Sequence, residues 1–160
     1  MLALREAEAG DTALILGFIR ELAAYEKLAH ECVANEESLR QWLFCPQPKA
    51  YCVIAEWEGK PAAFALYFYN FSTFLGCPGI YLEDLFVRPE YRRKGIARRL
   101  FHYLAQKAVR EGCGRLEWWV LDWNVDALAF YKGLGAQSMD EWTVQRISGE
   151  SLRALAGGAE

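Results

Sequence analysis

The chain lacks the cysteine pattern of a stapled or metal-bound protein. Its five cysteines, Cys32, Cys45, Cys52, Cys77 and Cys113, are odd in number and form no C-x-x-C pair. Neither a disulfide framework nor a zinc spacing is present, so reduced thiols and no metal are expected. An apolar run long enough to span a bilayer is also missing, and Met1 to Glu6 carries charges where a secretion signal needs an apolar stretch. A soluble, cytoplasmic protein without a membrane partner is therefore expected. There is no excess of positive charge: 18 Lys and Arg stand against 21 Asp and Glu, a formal net charge of -3. That balance gives no reason to expect nucleic acid and suits cationic or small neutral partners. The chain has no G-x-x-x-x-G-K-[ST] segment and no G-x-G-x-x-G after its first strand, which argues against a nucleotide hydrolase and a dinucleotide fold. Internal repeats and linkers are absent.

What is present is enough apolar residue, 53% of 160, to bury the core of one domain. Leu2 to Glu6 reads as a short strand. Asp11 or Thr12 caps an amphipathic helix over Ala13 to Tyr25, and Asn35 caps a shorter one containing Leu39, Trp42 and Leu43 and ended by Pro46 and Pro48. Tyr51 to Trp57 and Pro61 to Tyr69 are strand-like around a turn at Glu58-Gly59-Lys60. Asn70 to Gly79 is expected to be irregular and to wall a pocket, with Ile80 to Val87 a third strand. After Pro89 the apolar period lengthens to that of a helix, with Ile96, Leu100, Leu104 and Ala108 in one stripe and Gly112 and Gly114 at its end. Arg115 to Leu121 is a strand candidate, Asp126 to Leu134 a helix ended by Gly135, and Trp142 to Ile147 a final strand. The Ala- and Gly-rich segment from Ser148 to Glu160 reads as a mobile tail. The order is mixed α/β in one domain over residues 1–160.

The most informative segment is Arg92-Arg93-Lys94-Gly95-Ile96-Ala97, which opens the long helix directly after a strand. A chain that bends on glycine at a helix start points several N–H groups at one place, where helix dipole and nearby cations favour a phosphate oxygen. Upstream, Glu83 and Asp84 sit in a strand, and strand alternation sends them to opposite faces, one toward a cleft and the other into a structural bond. Downstream, Asn124 either caps the next helix or holds a ligand, and Tyr131 either packs or donates a proton.

Arg92, Gly95 and Ala97 match the Arg/Gln-x-x-Gly-x-Gly/Ala loop, and through them the chain resembles the GCN5-related N-acetyltransferase superfamily. Tyr81-Leu82-Glu83-Asp84-Leu85-Phe86-Val87 and Trp123-Asn124 with Phe130-Tyr131-Lys132 make it similar to the diamine branch, which includes spermidine/spermine and thialysine N-acetyltransferases. The resemblance runs from Leu22 to the region of Trp142. It implies a mainly antiparallel central sheet, splayed at its middle strands and flanked by helices. Acetyl-CoA is the implied acetyl donor, its pantetheine beside Leu85, Phe86 and Val87 and near Asn124, and its pyrophosphate on the amides of Arg93, Lys94, Gly95, Ile96 and Ala97 after Arg92. A small cationic amine is the implied acceptor.

An alkyl amine with a pKa of roughly 10.4 arrives as ammonium, so a base has to remove a proton before attack. The resemblance assigns that role to Glu83, acting through a water, and protonation of the departing thiolate to Tyr131, which also borders the cofactor. No cysteine lies in the matched catalytic blocks, which favours direct transfer over an acetyl-cysteine intermediate. Tyr25, Glu26, Glu83, Asp84, Asp122 and Trp123 match the acceptor side, although Glu26 and Asp122 also read as ordinary surface charges. Asn70 to Leu75 departs from the acidic version of polyamine acetylases and makes a lysine-like amine, including thialysine, as credible as spermidine. Protein or peptide acetylation and a non-catalytic acyl-CoA-binding module remain the alternatives. The resemblance also implies a homodimer formed through the region of Trp142, Val144 and Ile147.

Overall fold

Five strands and five helices account for the regular structure of the computed structural model, which describes residues 1–158. The backbone separates into two compact units, Met1–Trp119 and Val120–Glu160. The first unit holds one sheet in the order β1 (Leu2–Glu6), β2 (Tyr51–Trp57), β3 (Lys60–Ser72), β4 (Cys77–Val87) and β5 (Leu116–Trp118). The first four strands pair antiparallel, while β5 runs parallel to β4. Helices α1 (Thr12–Tyr25) and α2 (Glu36–Leu43) precede β2, and α3 (Ile96–Arg110) follows β4.

Local chemistry explains most of these boundaries. Asn35 accepts from the Ser38 amide at 2.9 Å and starts α2 with a capping box. Asp11 stands before α1, but its carboxylate is taken by Arg5 at 2.8 Å and by the Glu8 amide, which ties β1 to the helix start. The β2–β3 turn has positive φ at Glu58 and Gly59, as a two-residue hairpin with right-handed twist needs. At the end of α3, Gly112 adopts φ +75 and the Cys113 amide returns to the Ala108 carbonyl at 2.8 Å, closing the last turn.

Helices pack on both faces of the sheet. Ile15, Phe18 and Leu22 of α1 and Leu43 of α2 bury against Ile54, Phe64, Leu66 and Phe86. Phe18 stacks on Phe64 with centroids 5.2 Å apart and carries the Arg88 guanidinium on its ring at 4.5 Å. The opposite face receives α3, where Ile96, Leu100, Leu104 and Ala108 are buried as the apolar period requires. There Lys107 lies near the Tyr67 ring, Phe101 meets Trp118 at 4.7 Å, and Glu6 joins the Tyr67 and Tyr103 hydroxyls.

Three expectations need correction. Asn70 to Gly79 is a continuation of the β3–β4 hairpin: Asn70, Phe71 and Ser72 pair with Gly79, Pro78 and Cys77 around a turn in which Ser72 Oγ accepts from the Leu75 amide. The Gly and Pro residues that suggested irregularity serve this turn and the strand that follows it. The strand at Arg115 to Leu121 shrinks to Leu116–Trp118, because its pairing with β4 ends at Leu82 and Trp118. Trp142 to Ile147 forms no strand: these residues are exposed and have no ladder partner among the described residues. The terminal segment holds a helix, α5 (Gly149–Ala156), after α4 (Val125–Gly133), both in the second unit. Glu160 and Ala159 of the expected tail lie outside the described residues.

Phe18 is wholly buried and touches α1, β3 and Arg88, so Phe18→Ala is expected to lower the unfolding free energy by about 3–5 kcal/mol. Urea unfolding checks this, and a loss below about 1 kcal/mol contradicts the packing described.

Candidate active site

The carboxylates of β4 are arranged by an extra residue. Leu66 of β3 pairs with Asp84, but the next residue, Tyr67, pairs with Leu82, so Glu83 is the bulged residue between them. Directly opposed residues share a face. Leu66 belongs to the core under α1, which puts Asp84 on that face together with Phe86. Tyr81 is opposite Phe68, two residues beyond Leu66, and their rings lie 4.9 Å apart. Tyr81 and Glu83 therefore point the same way as Asp84. The expectation that Glu83 and Asp84 face opposite sides is wrong, because strict alternation holds only in an unbulged strand.

Glu26, just past the end of α1, adds a third carboxylate to this face. Burial is the main cause that lifts the Asp84 carboxyl from its ordinary 3.8 to about 7, and the charges of Glu83 and then Glu26 push the same way. Burial also raises Glu26. The Tyr81 hydroxyl is pushed up by burial and by Glu83, Glu117 and Asp84. Such a group of acids asks for a cation.

Tyr81, Glu117 and Trp119 extend this face toward β5, and sequence reasoning did not single out the last two. Glu117 pairs with Tyr81 in the parallel register, accepts from Asn70 Nδ2 at 3.2 Å and meets Arg115 at 3.1 Å. Trp119 stands edge-on to Tyr81 at 5.9 Å. Only the strand register brings them together.

On its β3 side, β4 stays laddered beyond the bulge: Leu85, Phe86 and Val87 pair with Ala65, Phe64 and Ala63. On its other side the pairing stops at Leu82, so Leu85 to Val87 meet no strand there among the described residues. This is the splay expected of the sheet. It leaves an edge that an extended, amide-bearing ligand can join.

The loop after β4 is held from below. Arg88 binds Glu21 through Nη2 at 2.9 Å and the Pro61 carbonyl through Nη1 at 3.0 Å. Arg92 Nε donates to the Val87 carbonyl at 3.0 Å, and its guanidinium lies 5.0 Å from the Tyr25 ring and 5.6 Å from that of Phe86. Lys94 rests 5.0 Å from the Trp57 ring. These cations are engaged with the protein, so the backbone is the loop's main donor set. Arg93 at φ +61 and Gly95 at φ +77 turn it into a left-handed bend, unfavourable for arginine and maintained by its surroundings. Among the described residues, the amides of Arg93, Lys94, Gly95, Ile96 and Ala97 donate to no carbonyl or side chain. Consecutive free donors at a helix N-terminus fit a diphosphate.

The remaining expected residues lie in the second unit. Asn124 caps α4, its side-chain oxygen accepting from the Ala127 amide at 3.3 Å. Asp122 and Trp123 are exposed before it, and Tyr131 lies on α4 half-buried against Phe130, ring centroids 5.7 Å apart.

Because the Asp84 carboxyl is raised, the folded chain keeps a proton there that the unfolded chain has already released between pH 3.8 and about 7. Stability from this group therefore falls as pH rises through that window and is level above it. Asp84→Asn is expected to be more stable than the parent at pH 8, by up to roughly 4 kcal/mol, with the advantage gone near pH 4. Denaturant unfolding across this range checks it; a difference independent of pH contradicts it.

Comparison with known proteins agrees with this fold. The model of the acetyltransferase (GNAT) family matches residues 19–136. The chain is 42% identical over 165 residues to the thialysine N-epsilon-acetyltransferase of Bos taurus, covering 96% of each. It is 32% identical to the L-ornithine N5-acetyltransferase NATA1 of Arabidopsis thaliana, covering 95% of this chain and 86% of that one. Among solved structures, an integron cassette protein from the mobile metagenome of V. cholerae superposes with a TM-score of 0.80 at 28% identity, covering 97% of both chains. An aminoglycoside N-acetyltransferase in complex with CoA shares the fold with a TM-score of 0.66 at 19% identity, covering 92% of this chain and 100% of that one. The chain belongs to the GNAT acetyltransferase family, and acetyl-CoA is its acyl donor.

Proposed function

We propose that the chain acetylates a primary amine of a small cationic substrate: thialysine, a lysine-like amine, a diamine or a polyamine. The observation that carries this reading is the gathering of Glu26, Glu83 and Asp84 on one face, with the Asp84 carboxyl lifted to about 7. A substrate ammonium supplies a counter-charge to these three carboxyl groups, and the Tyr25, Tyr81 and Trp119 rings suit the same cation. The likeness to thialysine and ornithine acetyltransferases supports it.

Bound acetyl-CoA supplies an activated acetyl group. The chain's part is positioning and proton movement. The amides of Arg93 to Ala97 hold the diphosphate, and the free edge of Leu85 to Val87 aligns the pantetheine. Glu83, carried outward by the bulge, accepts the ammonium proton through a water, while the neighbouring Asp84 carboxylate holds the cation. Tyr131 gives its hydroxyl proton to the leaving thiolate, and Asn124 lines the cofactor side. Asp122 and Trp123 complete the acceptor wall. Both backbone units serve one catalytic domain in this reading, supported by a family match that crosses from one to the other.

We further propose a homodimer built on the second unit, where Trp142, Val144, Ile147, Leu152 and Leu155 present exposed apolar side chains. Sedimentation at micromolar concentration is expected to give a dimer, and a monomer contradicts it. No described helix is long and apolar enough to cross a membrane.

Acetyl transfer is tested with thialysine, lysine, short diamines, spermidine and peptides, following release of free CoA. Turnover of thialysine or diamines is expected; turnover of peptides alone rejects the proposed acceptor. Glu83→Gln is expected to lower kcat by about 10²–10⁴-fold and to flatten the rise of rate with pH, while acetyl-CoA binds as before. Tyr131→Phe is expected to lower kcat with cofactor affinity retained, and an unchanged rate removes Tyr131 from the mechanism.

A further inference from the structure

We propose that Cys77 and Cys113 form a reversible disulfide on oxidation, fastening the start of β4 to the C-terminal end of α3. The two residues are 36 positions apart in sequence but adjacent in space, and the reason lies in the backbone. The Gly114 amide donates to the Pro78 carbonyl at 2.9 Å, and two residues further the Ile80 amide donates to the Arg115 carbonyl at 3.0 Å. These bonds carry the parallel alignment of β4 and β5 back beyond the last paired strand residues, Ile80 and Leu116. Cys77 and Cys113 each precede a residue of the Gly114–Pro78 bond, in segments that run in the same direction. The Gly114–Pro78 bond joins the two backbones one residue past each cysteine, and a disulfide spans Cα atoms separated by roughly 4.4–6.8 Å.

The Cys77 sulfur is turned toward the segment that carries Cys113. Cys77 Sγ lies 2.9 Å from where a Cβ on Gly114 would stand, so its sulfur reaches across to the neighbouring segment. Only the missing side chain of Gly114 leaves it that room. The proximity of Cys77 is felt at Cys113, whose thiol is raised by burial, by the Glu111 carboxylate and by Cys77 itself. Both cysteines are free and partly accessible, whereas Cys52 is buried in the core.

With hydrogen peroxide as oxidant, one thiolate attacks a peroxide oxygen, the O–O bond breaks and a sulfenic acid and water result. The second thiol then displaces the sulfenic oxygen as water, forming the S–S bond. Two thiols are oxidised, one peroxide is reduced and two waters leave. The raised Cys113 thiol makes this slower at neutral pH than at alkaline pH, since the thiolate is the attacking form. Once formed, the bond holds the β3–β4 turn, whose Leu75 side chain already borders Gly114, against the helix end.

The test treats the full-length protein with hydrogen peroxide, blocks remaining thiols, digests without reductant and identifies linked peptides by mass spectrometry. The expected result is a single cross-linked pair joining Cys77 to Cys113, abolished by dithiothreitol, absent in Cys77→Ser and in Cys113→Ser, and forming faster as pH rises from 7 to 9. The oxidised parent is expected to melt at a higher temperature than the reduced one, by roughly 5 °C or more. Linkage through Cys32 or Cys45 instead, or oxidation of Cys77 and Cys113 without a link between them, overturns the proposal. The peptide result on the parent stands whether or not either variant folds.

Discussion

One extra residue in β4 shapes this protein's chemistry. In a regular strand, Glu83 would share a face with Tyr81 while Asp84 turned toward α3. The bulge opposite Leu66 and Tyr67 shifts the phase of the strand and brings Asp84 to the side of α1, where Glu26 and Glu83 already lie. Asp84 and Glu26 are half-buried there, beside an exposed Glu83. Isolated, this arrangement is unfavourable, since like charges and burial oppose ionisation; the ammonium ion proposed as its ligand would relieve both. The proposed affinity for a cation and the cost to the folded chain would have the same origin.

The strand that carries the bulge also ends at the loop whose amides are free. Arg88 anchors its end to α1 through Glu21 and to β3 through the Pro61 carbonyl. Arg92 folds back on Val87 and lies against Tyr25 and Phe86, so the loop and the end of α1 share one cation. The arginines that make this segment conspicuous in sequence thus act largely as struts. They hold Arg93 and Gly95 in left-handed conformations, and the exposed amides are the consequence. Acid face and amide loop are parts of one continuous piece of backbone, from Tyr81 to Ala97, which fixes their separation.

Elements whose signal is local were legible in the sequence. The cap at Asn35, the turn at Glu58 and Gly59, and the stripe from Ile96 to Ala108 each state their own structure within a few residues. The amide loop belongs to this class, because Gly95 and the change of period mark it. Non-local features were hidden. No glycine or proline announces the bulge at Glu83; it exists only as a register relation with β3. Glu117 and Trp119 reach the acid face through pairing with β4, which no local pattern reveals. Trp142 to Ile147 has the composition of a strand but no ladder partner among the described residues, and Gly149–Ala156 is helical despite its glycine. For the bulge, Glu117 and Trp119, the decisive contact is made far along the chain.

The central claim is that the bulge makes Glu83 and Asp84 neighbours. Carboxyl ¹³C NMR titration of the parent and of Glu83→Gln tests it most directly, because each side chain reports its own protonation. The account predicts an Asp84 carboxyl titrating near pH 7 in the parent and at lower pH once the Glu83 charge is removed. An Asp84 that titrates in the ordinary carboxylate range, or one indifferent to Glu83, would contradict it.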